Sequence, residues 1–237
     1  MKRFYDAVDL CQVDGGWQVT LDGRGLKSVK GSPQIVPTRP LARMLAQEWD
    51  IQGEELDPQL FPLRDMTDYA IDIVGKDIAA LAGRLVAYGD TDTLLYRADP
   101  DEHLYARQVE VWEPIVTAFE AREEIALTRI SGVMHRPQSE TALEKLRGTL
   151  SSASAFELAG IEAMTSLAAS LTIALSAARV SDAEEATQLW RAASLEEEWQ
   201  ADLWGRDGEA EEHRARRQAD FLGAWRFVRA AADGLTD

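Results

Sequence analysis

Tyr88-Gly89-Asp90-Thr91-Asp92-Thr93-Leu94-Leu95-Tyr96-Arg97-Ala98-Asp99 stands between two long helical patterns. Upstream, Ile71, Val74, Ile78, Leu81 and Leu85 recur at steps of three and four, which predicts one helix with a buried seam from Asp68 onward. Downstream, Leu104, Gln108, Val111, Trp112, Ile115 and Phe119 share one side of a pattern over 101–120, and Pro114 predicts a kink or restart. Gly89 and the Asp/Thr alternation break the helical pattern, because short polar side chains bond nearby backbone in competition with the helix ladder. Leu94, Leu95 and Tyr96 are too apolar for an exposed loop. The stretch therefore predicts a partly buried joint in which Thr91, Asp92, Thr93 and Tyr96 tie down backbone that has no ladder of its own. It is not a calcium loop: an EF-hand needs a further oxygen ligand and a glycine where Leu94 and Leu95 stand.

Toward the N-terminus the chain reads as β-structure. Residues 4–13 and 17–21 flank Asp14-Gly15-Gly16, Asp22-Gly23 makes the next turn, and 25–29 and 34–36 read as two further short strands. Such a meander is too small to stand alone and calls for a covering helix. Thr38 caps that helix, with Pro40 in its first turn, and Leu41, Leu45 and Trp49 line the covering face. Gly53 ends it, and 54–65, with Pro58 and Pro62, reads as a linker. The fold class expected is α+β: a β-rich N-terminal domain over 1–62 and a larger multihelical bundle over 63–237.

Toward the C-terminus, Ser139 caps a helix, a break over 148–155 follows, and an Ala-rich helix is expected over 156–179. Ser181 caps another, expected to run to Trp204 and stop at Gly205, and a last helix covers about 209–232. The segment Leu195-Glu196-Glu197-Glu198-Trp199-Gln200-Ala201-Asp202-Leu203-Trp204-Gly205 shows two apolar stripes. Leu195, Trp199 and Leu203 form one; Trp190, Glu197 and Trp204, seven apart, form the other. A helix apolar on two faces is either buried or holds a second partner. Trp190 and Trp204 are candidate aromatic anchors for that partner, with Glu196, Glu197 and Glu198 as the carboxylates beside them, a composition typical of interface hot spots. The alternative is that the acids only solvate the helix.

The formal charge of −16 disfavours nucleic acid and anionic membranes as partners. The single cysteine, Cys11, excludes an internal disulfide and reads as a small buried residue of the first strand. No secretory signal or Arg/Ser-rich transit peptide opens the chain, and Glu162 and Arg179 flank its most apolar segment, over 158–180, so a buried helix is expected there. There is no P-loop, no Gly-x-Gly-x-x-Gly fingerprint and no Gly-x-Ser-x-Gly elbow, and His103, His135 and His213 lack ligand spacing. No metal, cofactor or catalytic residue is expected, and among 41 carboxylates sequence proximity singles out no pair.

The chain resembles the assembly chaperones of ATP synthase that hold the free α subunit of the catalytic head. The matching segments run almost end to end: Lys2-Arg3-Phe4-Tyr5, Leu21-Asp22-Gly23-Arg24, Pro37-Thr38 with Leu41-Ala42, Glu48-Trp49-Asp50, Asp57-Pro58, Phe61-Pro62-Leu63 and Ala70-Ile71-Asp72. Tyr88, Thr91-Asp92-Thr93, Tyr96-Arg97-Ala98, Leu195-Glu196-Glu197, Gln200 and Trp204-Gly205 complete the set. One departure is Arg64-Asp65-Met66-Thr67-Asp68-Tyr69, where the family usually carries a Leu-Ala-Asn type run. The resemblance implies a β-rich N-terminal part, a helical C-terminal part, no catalysis, and a complex with the free α subunit that lasts until the β subunit replaces the chaperone. It gives Trp49 a role in a stable protein and an acid of the Leu-Glu-Glu segment, carried to Glu197 first, a role in activity. Glu197→Lys should then abolish capture with little change in melting. The lack of a transit peptide implies a bacterial cytoplasmic protein, or a mature form in the mitochondrial matrix. The competing classes are a small-molecule enzyme or a generic interaction module with its site at the 88–99 joint. A deep pocket there with two carboxylates in hydrogen-bond reach marks an enzyme; polar side chains spent on helix ends mark a scaffold.

Overall fold

A computed structural model describes residues 1–132 and 134–232. The fold is α+β, and the described chain divides into two compact units: residues 1–78 with 153–160 and 226–232, and residues 79–152 with 161–225. The first unit thus takes in more than residues 1–62, drawing segments from two later helices.

In the first unit, β1 (Val8–Val13) and β2 (Gly16–Leu21) form an antiparallel hairpin closed by Asp14-Gly15. Asp22 and Gly23 both have positive φ (49° and 76°), as the two-residue turn into β3 (Arg24–Gly25) requires. β3 and β4 (Ile35–Val36) share one edge of β2, β3 against Thr20 and Leu21, β4 against Trp17 and Gln18. A Cβ at Gly16 would lie 2.2 Å from the Val36 carbonyl oxygen, so only glycine allows this approach. The strand expected over 25–29 shrinks to β3, because Asp68 and Asp72 of the second helix, Pro62–Asp72, capture the loop. Asp72 accepts from the Ser28 and Ser32 hydroxyls and the Lys30 amide, Asp68 from the Val29 amide and Gln34 Nε2. Cys11 is exposed, not buried: the period of two that turns Val8 and Leu10 inward turns Cys11 outward on an edge strand.

α1 (Arg39–Asp50) covers the sheet. The Thr38 hydroxyl accepts from the Leu41 amide and donates to the Ala230 carbonyl. Leu41, Ala42, Leu45 and Trp49 pack with Val19, Leu21, Val36 and Tyr5. Trp49 meets the Tyr5 ring edge-on at 5.6 Å and the Phe61 ring at 4.5 Å, and the Tyr5 hydroxyl donates to the Trp49 carbonyl. α2 (Pro62–Asp72) starts inside the expected linker. Glu48 is 7 % exposed and supplies the missing cap: its two oxygens accept from the Leu63 and Arg64 amides at 2.7 and 2.8 Å. Burial outweighs these donors and pushes the Glu48 carboxyl up to about 7.

The seam expected to continue from Ile71 to Leu85 is interrupted at Ile73 by a short 3-10 turn, Val74–Lys76, before α3 (Ile78–Asp90) begins. The second unit continues with β5 (Tyr96–Arg97), α4 (His103–Glu123), β6 (Ile130–Ser131), parallel to β5, and α5 (Glu140–Ser151), capped by Ser139. α4 is one helix through Pro114. The expected Ala-rich helix is two, α6 (Ala155–Ala168) and α7 (Leu171–Ala177), split at Ala169 (φ 48°). The next is also two: α8 (Ala183–Ala193), capped by Asp182 rather than Ser181, and α9 (Leu195–Trp204), separated at Ser194. α10 (Gly208–Ala231) ends the described chain.

Candidate functional site

The 88–99 joint is built around Asp92, which is fully buried. One Asp92 oxygen accepts from the Leu94 amide (3.1 Å) and the Ser170 hydroxyl (2.7 Å), the other from the Thr172 amide (2.8 Å). One carboxylate therefore caps both the short 3-10 turn Thr93–Leu95 and the start of α7. Burial pushes its pKa up, against the pull of these donors. The Thr93 hydroxyl donates to the Ala169 carbonyl at the α6–α7 break, and the Thr91 hydroxyl to Ala87. The Tyr96 hydroxyl lies 2.7 Å from His135 Nδ1, and Asp90 accepts from the Gln138 amide, so the same stretch also fastens the loop before α5. A side chain at Gly89 would meet Leu146 at 3.0 Å. Thr91, Asp92 and Thr93 thus spend most of their hydrogen bonds on backbone at helix ends.

α9 carries the other candidates. The continuous stripe through Trp190, Glu197 and Trp204 does not form, because Ser194 ends α8 and starts a new helix. Trp190 is 3 % exposed, its ring 5.3 Å from that of Phe221, whereas Trp204 is 87 % exposed. Of the two proposed anchors only Trp204 reaches solvent. The three glutamates have three different settings. Glu196 accepts from Gln108 Nε2 at 2.6 Å, and Gln108, itself fully buried, accepts from the Ala98 amide, so the joint, α4 and α9 are linked in one chain of hydrogen bonds. Burial raises the Glu196 pKa. Both oxygens of Glu197 accept from Arg217 Nη1, at 2.7 and 3.0 Å. Arg217 Nη2 donates to the Leu167 carbonyl, and its guanidinium lies 5.4 Å from the Trp190 ring centre. Glu198 pairs with Arg206, which also holds Asp202 and Glu211.

Gly205 (φ 97°) turns the chain, and Asp207 caps α10 through the Glu209 and Ala210 amides. A cleft of about 460 Å³ lies beside this turn, lined by Gln200, Ala201, Trp204, Ala210 and His213 among others. A larger one, about 520 Å³, lies on the other flank of α9, against Trp190, Leu195 and Trp199. Among the described residues no helix is long and apolar enough to cross a membrane, and no group of three His, Cys, Asp or Glu is disposed to hold a metal.

Sequence reasoning missed Gln108 and Arg217 as the residues that fix the glutamates. Gln108 had a signal: an amide inside an otherwise apolar helix face predicts a buried hydrogen-bond partner. Arg217 had none, since it is one basic residue of several in a polar stretch.

A family model described as ATP12 chaperone protein matches residues 2–120. Among curated proteins, "Protein atp12, mitochondrial" of Schizosaccharomyces pombe is 28 % identical over 217 residues, covering 86 % of this chain and 74 % of that one. Among solved structures, Atp12 from Paracoccus denitrificans superposes with a TM-score of 0.87 at 36 % identity, over 97 % of this chain and 98 % of that one. The Atu1473 protein of Agrobacterium tumefaciens gives 0.90 at 34 %, over 97 % and 85 %. Matched by the family model over half its length and by solved relatives almost end to end, this chain belongs to the ATP12 chaperone family.

Proposed function

We propose that this protein is an assembly chaperone of ATP synthase that binds the free α subunit of the catalytic head, covers its subunit interface, and yields to the β subunit. Family membership supports the chaperone class, and the observation that carries the site is the setting of α9. Its carboxylate run is fixed at the base by Gln108 and Arg217, while Leu203 and Trp204 at its far end stand in water, 65 % and 87 % exposed. A binding element fixed before contact loses little ordering entropy on association. The apolar surface of an orphan subunit is aggregation-prone, and an acidic cover of charge −16 keeps the complex dispersed. Release needs no chemistry on the chaperone, because the β subunit competes for the same surface. We assign no catalysis to it: Asp92, the buried carboxylate of the joint, has both oxygens engaged in holding backbone and Ser170. The site of action in this reading is the bacterial cytoplasm, or the matrix for a mitochondrial form.

The test is dilution of denatured α or β subunit into buffer with and without the protein, followed by light scattering. The α subunit is expected to stay in solution and to pass to the β subunit when that is added. Precipitation of the α subunit at the same rate and extent with and without the protein refutes the proposal.

A further inference from the structure

We infer that Leu203 and Trp204 form a knob that enters an apolar socket ringed by lysines or arginines on the client protein. The inference rests on the chaperone reading and adds the surface chemistry that the client must offer. Of the seven tryptophans, all within the described residues, Trp204 alone is exposed. Nothing in the local fold requires it. The turn is made by Gly205, clamped by Arg206 across Glu198, Asp202 and Glu211, and continued by the Asp207 cap; a polar residue at 204 would serve that turn equally well. At 87 % exposure the indole contributes little to the core, so its apolar surface has its use outside this chain.

The charge around the knob selects the partner. Residues 196–217 hold eight carboxylates against four arginines, so the segment around the knob keeps a net negative charge. Arg206 answers Glu198, Asp202 and Glu211, Arg214 shares Glu198 and Glu211 with it, and Arg217 holds Glu197, while Glu209 and the weakly paired Glu212 remain turned to solvent on the first turns of α10. An apolar centre within an acidic ring repels a second copy of itself, nucleic acid and anionic lipid alike, and matches an apolar hollow with a basic rim.

The experiment measures binding of the full chain to isolated α subunit at low and high salt, for wild type, Trp204→Ala, Leu203→Ala with Trp204→Ala, and Glu209→Lys with Glu212→Lys. Trp204→Ala is expected to weaken binding roughly 30-fold or more with the melting curve unmoved. The lysine pair is expected to slow association and to flatten the loss of affinity with salt. Wild type that binds the α subunit while both tryptophan variants bind within about twofold of it overturns the knob and leaves the client reading standing. Wild type that does not bind the α subunit removes the client reading, and the inference with it. Self-association of the free chain that Trp204→Ala abolishes also overturns the inference, in favour of a homotypic contact.

Discussion

Asp92→Asn tests the joint most directly. The wild-type carboxylate presents one oxygen to the Leu94 amide and the Ser170 hydroxyl and the other to the Thr172 amide. Asparagine offers one acceptor oxygen. Placed toward Leu94 and Ser170, it turns its NH2 group onto the Thr172 N–H, so two donors face each other at the first turn of α7 and one buried amide is orphaned. Such a loss costs about 1–3 kcal/mol. The neutral amide also removes a buried charge, which returns part of this, so the working figure is about 2 kcal/mol. For a chain of this size that lowers Tm by roughly 4–8 °C. Asp92→Ala orphans every donor and is expected to cost about twice as much, since only the Ser170 and Thr172 hydroxyls can turn to other acceptors. The assay is thermal melting by circular dichroism, with amide exchange at Leu94 and Thr172 as the local readout. Below the lowered Tm both variants should still capture the α subunit, because Asp92 is fully buried. A melt for Asp92→Asn within about 1 °C of wild type, with the Thr172 amide as protected as before, refutes the reasoning.

Other perturbations separate the remaining parts. Trp49→Ala removes the side chain between Tyr5 and Phe61 and should destabilise the first unit by about 3–5 kcal/mol, read by denaturant unfolding. Glu48→Gln leaves one acceptor oxygen for the Leu63 and Arg64 amides but removes the buried charge, so its effect on stability depends on pH. Its pH dependence has a definite sign: a folded pKa of about 7, above the ordinary 4.5, means that the wild-type carboxyl helps most below pH 4.5 and loses that help as pH rises through 7. The melting gap between wild type and Glu48→Gln should therefore narrow from pH 5 to pH 8. Glu197→Lys sets an ammonium against Arg217, a cost of about 1 kcal/mol at this half-exposed pair, so melting should drop slightly while capture is lost. Adding Arg217→Glu restores the ion pair but not the donor to the Leu167 carbonyl or the contact with the Trp190 ring, so the melt should recover only in part, and restored capture with it would mean that Glu197 acts by holding α9 rather than by touching the client.

What the sequence disclosed depended on whether a residue's signal was local. The Asp22-Gly23 turn, the Thr38 cap and the Trp49 face are written in residues a few positions apart, and each stands where expected. Ala169 carries positive φ without being glycine, and the Ser170 cap that restarts the helix is bound by Asp92, 78 positions away. No window of helical length contains both halves of that signal, so α6 and α7 read as one helix. Ser194 carries a local signal that the structure uses only in part. Ser194-x-x-Glu197 is the pattern of a capping box, yet the Ser194 side chain makes no cap bond and Glu197 turns to Arg217 instead. The helix does start there, but the acid that would have closed the box is committed to another helix. Cys11 was misplaced for a simpler reason: its residue type suggested burial, and the alternation of β1 decided otherwise.

The two candidate regions turn out to be connected. The hydrogen-bond chain Ala98–Gln108–Glu196 begins at the end of the joint and finishes on α9. Trp112, fully buried one turn after Gln108, donates to the Ala192 carbonyl and so fixes the end of α8 from which α9 departs. A helix that must present two apolar residues to water gains nothing from their burial, so its placement has to come from its base, and the base is where the polar ties collect. The same division suits a protein that must let go. A knob of two side chains with a charged ring supplies affinity that a better-matched neighbour can displace, whereas the ties beneath it, which are intramolecular, are unaffected when the client leaves. In this reading the 88–99 joint reaches α9 through the Ala98 amide and Gln108, while Thr91, Asp92 and Thr93 hold the backbone at the end of α3 and at the α6–α7 break.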